Sequence, residues 1–261
     1  MCNLRIAFAG DRDISVWVLE FVLSQNVKPL ALLVCEASRA SHANQLITLC
    51  QFLEPSKILT GQQFRQPESI ELLRQLDLDY IIGVHFPYIV PEEVLSIPRI
   101  GVLNLHPSYL PYNRGWHPAS WPLLEETTAG ATLHLMDTGV DTGDVIDQKR
   151  LNISPGDTAD ILYKHLKRLE LQLFQEAWPK LVSGSYQRQA QNPADGTTHK
   201  RRELFTKHIQ QIDLNESVKA GDLVRRLRAL TTNYIEEAAY YEVDGKRYRI
   251  QVVIHEETDL A

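Results

Sequence analysis

The stretch Gly101–Asp147 reads GVLNLHPSYLPYNRGWHPASWPLLEETTAGATLHLMDTGVDTGDVID. Val102, Leu103 and Leu105 are the apolar residues of a buried strand, yet Asn104 and His106 stand among them. Residues two apart on an extended chain point to the same face. A polar pair on one face of a buried strand costs free energy unless it is hydrogen-bonded, so the pair needs partners. A proline-bracketed loop, a short helix, a second apolar run and Asp141 in a glycine-rich turn follow. An amide, an imidazole and a carboxylate make a kit for acyl transfer: an oxyanion donor, a proton carrier, and a group that orients or charges the imidazole.

Working outward, strands and helices alternate. Leu4–Ala9 reads as a strand ending in the turn Gly10-Asp11-Arg12-Asp13. Ile14–Gln25 reads as a helix capped by Asp13. Pro29–Cys35, Tyr80–Val84 and Val145–Ile153 are further strands, and Ala43–Leu53, Pro67–Gln75 and Pro91–Ser96 are helices. After a turn at Ser154–Asp157, Ala159–Leu181 is a helix about 34 Å long, with Asp157 or Thr158 as its cap. The alternation predicts an α/β fold with a mostly parallel sheet and helices on both faces. Ligands of such sheets bind beyond the carboxyl ends of the strands. That rule singles out Gly10–Asp13, His85–Ile89 and Asn104–Trp116. The first lacks GxGxxG, so a dinucleotide fingerprint is absent. In the second, HFPYIV, the aromatics either stack on a flat ligand or fill a loop core.

Gly184–Thr198 is polar and reads as a linker. Beyond it lie the basic cluster His199–Arg202, an amphipathic helix at Ala220–Leu230, and a hairpin from Ala238 to Ile254 turning at Asp244-Gly245. From Thr197 onward, eleven Lys and Arg balance eleven Asp and Glu. The expected domains are residues 1–185 and a small α+β appendage, 186–261, ending in the hairpin. A net charge of −6 speaks against a broad basic face for nucleic acid. No apolar run reaches the roughly 18 residues of a membrane span, and the first residues read as a strand, not a signal peptide. Cys2, Cys35 and Cys50 are scattered without a CxxC pair, so neither disulfides nor a metal site is expected, and a cytoplasmic setting fits.

The run Asn104-Leu105-His106-Pro107-Ser108-Tyr109-Leu110-Pro111, followed by Arg114-Gly115, Pro118, Trp121 and Val140-Asp141-Thr142-Gly143-Asp144, resembles the tetrahydrofolate-dependent formyltransferases. The resemblance covers roughly residues 3–185 and is carried by an N-x-H-P-S-x-L-P stretch and a D-x-G-D loop 35 residues on. It implies a Rossmann-like sheet, N10-formyltetrahydrofolate as donor and an amine as acceptor. It implies Asn104, His106 and Asp141 as the catalytic set, with Asp144 open between a turn cap and a catalytic role. It also implies that Phe86, Tyr88 and Ile89, with Asp137 and Val140 of the Asp137–Asp141 loop, hold the pterin. Arg114, Trp116 and His117 stand where an acceptor would lie; Arg114 either faces phosphate or is a solvated loop residue.

Among the branches, the chain is most similar to the sugar-nucleotide N-formyltransferases. Thr198-His199-Lys200-Arg201-Arg202, Leu227-Arg228-Ala229-Leu230-Thr231 and the closing hairpin carry that likeness. It implies formylation of a nucleotide-linked amino-dideoxy sugar, with the dTDP-4-amino-4,6-dideoxyglucose type favoured over a guanosine diphosphate sugar. It further implies a homodimer joined through the C-terminal region and a place in surface-polysaccharide synthesis, with no nucleic acid and no membrane as partner. Thr232-Asn233-Tyr234-Ile235-Glu236 departs from the aromatic-Pro-Pro run usual in that branch. Methionyl-tRNA, glycinamide ribonucleotide, or a folate-binding module without turnover are the alternatives. His199–Arg202 is read as a solvated face, with a diphosphate contact as its alternative. Tyr234, Tyr240 and Tyr241 are read as interface packing, with base stacking as theirs.

Overall fold

Strands that alternate with helices build a mostly parallel sheet covered on both faces, with an antiparallel hairpin near the C-terminus. A computed structural model describes residues 4–192 and 194–257. In chain order the strands are β1 Ile6–Gly10, β2 Ala31–Val34, β3 Ile58–Thr60, β4 Tyr80–Val84, β5 Gly101–His106, β6 Arg114–Gly115, β7 Ala129–Leu135, β8 Val145–Leu151, β9 Thr198–His199, β10 Ala239–Val243 and β11 Lys246–Ile250. The α-helices are α1 Asp13–Ser24, α2 Ala43–Leu49, α3 Pro67–Gln75, α4 Glu92–Leu95, α5 Trp121–Glu125, α6 Ala159–Ser183, α7 Lys207–Gln210 and α8 Ala220–Ala229. Two compact units interleave along the chain. Within the described residues the first draws on 4–106, 131–149 and 168–192, and the second on 107–130, 150–167 and 194–257.

The first unit holds the seven-stranded sheet, ordered β3-β2-β1-β4-β5-β7-β8. β3 through β5 are parallel neighbours, and β7 runs antiparallel to β5. Alternation along each strand divides the core in two. Ile6, Phe8, Leu32, Val34, Ile82, Val84, Leu103 and Leu105 pack with α1, α2 and the later part of α6. Ala7, Ala9, Leu33, Ile81 and Val102 pack on the other face with Ile70 and Leu73 of α3 and Val94 of α4. Asn104 and His106 share the parity of Val102, so they lie on the α3 and α4 face.

In the second unit, α5 and α8 bury Leu123 and Ala229 with Ala159, Leu162 and Leu166, while Trp121 packs with Leu204, Leu230 and Ala239. The hairpin β10–β11 turns through Asp244 and Gly245, both at positive φ, as a two-residue turn requires. Tyr240 is buried beneath the guanidinium groups of Arg247 and Arg249, and Tyr241 stacks on Tyr248. Tyr234 stays exposed.

Several expectations need correction. Asp13 is the first residue of α1, not its cap. Arg12, at φ 82°, holds the cap position without a side-chain bond. The helix at Ala43 ends at Leu49, and the three-residue edge strand β3 was not expected. At α6, Thr158 offers its hydroxyl to the Ile161 N–H, while Asp157 accepts from Ser154 and closes the preceding turn. His199 leaves the solvated basic cluster: it is buried in β9, stacked on Trp121 at 3.7 Å, with Glu125 and Glu203 beside its two ring nitrogens. Lys200, Arg201 and Arg202 are exposed. Cys35 and Cys50 are free and buried, and burial pushes both thiols up, Cys50 to about 11. Cys2 and the outer ends of the two expected domains, 1–3 and 258–261, lie outside the described residues. Among the described residues no helix is long and apolar enough to cross a membrane, and no group of His, Cys, Asp or Glu is arranged to hold a metal ion.

One buried hydrogen-bonded contact ties α6 to the sheet. Glu170 is 0% exposed, and its two oxygens lie 2.9 and 3.1 Å from His85 Nε2, where the chain leaves β4. Removing one partner leaves the other buried without its hydrogen bond. Glu170→Ala is therefore expected to destabilise the protein by about 1–3 kcal/mol, read as a lower urea midpoint, and Glu170→Gln by less because it keeps a hydrogen bond to the imidazole.

Candidate active site

The register between β5 and β7 assembles the site. Asn104 is opposite His134, and His106 is opposite Thr132. Residues directly opposite on antiparallel strands share a face, so four polar side chains gather at the carboxyl end of β5. On the other side of β5, Asn104 is in register with Gly83. A Cβ at Gly83 would lie 2.9 Å from the Leu103 carbonyl oxygen and 3.0 Å from Met136 Cε, so both atoms approach β4 this closely only because residue 83 is glycine.

Asp141 completes the group. The Asn104 amide donates to Asp141 Oδ1 at 3.1 Å, and His106 Nε2 lies 3.7 Å from Asp141 Oδ2. An ionised carboxylate only accepts, which sets the amide nitrogen of Asn104, not its oxygen, toward Asp141. The same nitrogen lies 3.1 Å from His134 Nε2. His134 Nδ1 donates to the Leu135 carbonyl at 2.8 Å. That bond places the proton of the neutral ring on Nδ1 and leaves Nε2 as an acceptor for Asn104. Both Asn104 N–H groups are thus engaged, and donation to a substrate oxygen requires one to turn from its present partner or be shared.

The loop that presents Asp141 is tightly bracketed. Asp137 Oδ1 accepts from the Gly139 N–H at 3.0 Å and from the Thr142 hydroxyl at 2.6 Å. Asp141 sits at φ 53°, in the left-handed region. A Cβ on Gly143 would fall 2.0 Å from the Leu135 carbonyl oxygen, so the loop closes against β7 only with glycine there.

The structure brings Asn104, His106 and Asp141 together, and adds His134, which the sequence reading missed. The signal was available: Thr132 and His134 repeat, on β7, the spacing of Asn104 and His106 on β5. Phe86 packs edge-on against Tyr88 and against buried Phe64, and Tyr88 meets Phe64 at a tilt, so a good part of their ring surface fills the loop core. The Tyr88 hydroxyl also donates to Glu36. Ile89 is 74% exposed and Val140 50% exposed, which leaves apolar surface for a flat ring system. Asp137 spends one oxygen on its own loop. Asp144 gives its backbone carbonyl to the Leu135 N–H, the turn position between β7 and β8.

In the second unit, Arg114 is only 4% exposed and donates to the Asp195 carbonyl at 3.3 Å, so the reading of a solvated loop residue falls. Its backbone is held by the short parallel pairing of β6 with β9. Trp116 is exposed beneath the Arg201 guanidinium. His117 is fixed from both ring nitrogens, by the Arg201 carbonyl at 3.0 Å and Glu237 at 3.4 Å.

A family model described as formyl transferase matches residues 21–178. The chain belongs to this family. A second model, described as the N-formyltransferase dimerization C-terminal domain, matches residues 206–256 of the formyltransferase. The methionyl-tRNA formyltransferase of Agathobacter rectalis is 27% identical over 95% of this chain and 79% of its own length. The dTDP-4-amino-4,6-dideoxyglucose formyltransferase of Mycobacterium bovis is 29% identical over 72% of this chain and 77% of its own length. Among solved structures, a sugar N-formyltransferase from a Shewanella species superposes with a TM-score of 0.81, covering 98% of this chain and 99% of that one at 22% identity, a likeness of fold.

A well-placed oxyanion donor contributes about 3 kcal/mol to the transition state. Asn104→Ala is accordingly expected to lower kcat for formyl transfer roughly a hundredfold or more. His134→Ala removes the acceptor that orients Asn104 and is expected to cost roughly tenfold, with binding of 5-formyltetrahydrofolate retained in both variants when measured by calorimetry.

Proposed function

We propose that this formyltransferase moves a formyl group from N10-formyltetrahydrofolate to the amino group of a nucleotide-linked amino-dideoxy sugar, of the dTDP-4-amino-4,6-dideoxyglucose type. The observation that carries the reading is the match of residues 206–256 to the N-formyltransferase dimerization C-terminal domain, in a chain that also holds an Asn104–His106–Asp141 group of the right chemistry. The relative that acts on that sugar supports it. In this reading residues 1–185 bind donor and perform transfer, and the appendage 186–261 joins two copies.

The chemistry follows from the three side chains. The donor supplies a formyl carbon whose oxygen gains negative charge when an amine attacks. Asn104, with one N–H turned from its present partner, and a protonated or hydrogen-bonding His106 donate to that oxygen in this reading, where well-aimed donors act strongly. Asp141 holds His106 in its working tautomer. The acceptor nitrogen bonds to the formyl carbon as the bond to the donor nitrogen breaks, and one proton passes from the first nitrogen to the second. Asp141 is the carboxylate placed to carry that proton, directly or through a water. Ile89 and Val140 offer the pterin apolar cover. Arg114, Trp116 and His117 are the acceptor side of the reading: Arg114 as a phosphate partner, Trp116 as an exposed ring, His117 as the group that fixes the loop.

Methionyl-tRNA is the second reading, favoured by the relatives that match over most of the chain. Strong tRNA binding rests on many phosphate contacts. A net charge of −6 and an appendage with equal numbers of acidic and basic residues speak against it.

The test offers the purified protein N10-formyltetrahydrofolate with nucleotide-linked 3- and 4-amino sugars, glycinamide ribonucleotide and methionyl-tRNA in parallel. Turnover with the thymidine diphosphate 4-amino sugar is expected; turnover with methionyl-tRNA alone would refute the sugar reading. His106→Ala is expected to lose 10²–10⁴-fold in turnover while still binding folate, and unchanged turnover would sink the mechanism.

A further inference from the structure

The stretch Gly184–Thr198 lies outside both family matches, and its polar composition reads as a linker. Its structure is more specific than that. Gln189 makes a backbone bridge with Val145 at the start of β8, with N–H···O distances of 2.9 and 2.8 Å. Two residues on, Gln191 Nε2 donates to the carbonyl oxygens of Asp141 at 2.9 Å and Gly143 at 2.7 Å. An amide nitrogen has two hydrogens, so one side chain serves both carbonyls.

We propose that Gln191 is a positioning residue for formyl transfer, holding the backbone of the Asp141 loop so that its carboxylate reaches Asn104 and His106 together. The proposal rests on the reading of Asp141 as the carboxylate of the reaction. Asp141 occupies the left-handed region, which an aspartate tolerates better than most side chains but at a cost relative to glycine. The bracket made by Asp137 ends at Gly139 and the Thr142 side chain. Gln191 fixes the carbonyls on either side of Thr142. Without it the 141–142 and 143–144 peptide planes can rotate, and a shift of about an ångström at a reacting group can cost roughly a hundredfold in rate.

The experiment uses the full chain as wild type, Gln191→Ala, Gln191→Glu, Asp141→Asn, and the double variant Gln191→Ala with Asp141→Asn. Steady-state rates are taken with N10-formyltetrahydrofolate and dTDP-4-amino-4,6-dideoxyglucose, and hydrogen exchange is followed in the peptide spanning residues 137–144. Gln191→Ala is expected to lower kcat ten- to a hundredfold with KM for the donor within about threefold. On the Asp141→Asn background the same change is expected to cost less than about twofold, because both act through one group. In Gln191→Ala, exchange across residues 137–144 is expected to quicken. Gln191→Glu faces two carbonyls with a carboxylate; its deficit is expected to shrink as pH falls, when protonation restores one donor. Wild-type kcat in Gln191→Ala, an equal loss on both backgrounds, or unchanged exchange overturns the proposal. A wild-type protein inactive on the sugar defeats the acceptor reading, and the exchange measurement then decides Gln191 alone. A fully active Asp141→Asn removes the premise.

Discussion

The antiparallel register of β7 on β5 is the constraint on which the site depends. It sets Asn104 against His134 and His106 against Thr132. A slip of β7 by one residue would turn Thr132 and His134 to the other face and part them from Asn104 and His106. That face is packed by α1, α2 and α6 against Leu103, Leu105 and Leu133, so the slip would bury two polar groups there and take Leu133 out of the core. The position of the amide and imidazole is therefore fixed by hydrophobic packing on the opposite side of the sheet. The parallel neighbour β4 contributes Gly83 in register with Asn104, and its missing side chain lets the Leu103 carbonyl and Met136 close in on β4.

Within that frame the polar groups satisfy one another in a graded way. His134 is fully committed: one nitrogen to a backbone carbonyl, the other to Asn104. Asn104 is committed to His134 and Asp141. Asp141 answers Asn104 at hydrogen-bond distance, and His106 only at 3.7 Å. The tight bonds thus hold Asn104, and the looser 3.7 Å contacts of Asp141 fall on the imidazoles of His106 and His134.

The parts of this arrangement differ in how far the sequence reveals them. The central strands were readable because they are continuous apolar runs between helical repeats; Tyr80–Val84 and Pro67–Gln75 have the boundaries their residues suggest. β3 was not, since three edge residues with one buried side chain leave no periodicity to detect. Asn104 and His106 stood out as polar residues two apart in a buried strand. His134 carried the same signal and needed only the pairing of β5 with β7 to be recognised. The solvated-face reading of the basic cluster fails at His199, and of the two readings of Arg114 the solvated one fails too, because charge on a loop does not by itself mean exposure. The short β6–β9 ladder buries both, and pairing between segments so far apart in the chain is not written in either one.

That ladder and the bridge at Gln189 bear on what a polar connecting segment does. Residues 184–198 have the glycine, serine and asparagine content of a spacer, and composition alone assigns them no task. Yet Gln189 and Gln191 hold β8 and the Asp141 loop in the first unit, and Thr197 and Thr198 hold Asn113 and Arg114 in the second. A segment without an apolar face cannot add to a core, but it brings a donor and an acceptor at nearly every residue. Loops that carry reactive groups leave backbone carbonyls unpaired at their bends, and such a segment is well suited to meet them. In this formyltransferase the connection between the two family matches serves as a hydrogen-bonding frame for one loop in each unit, and its polarity is what fits it for that task.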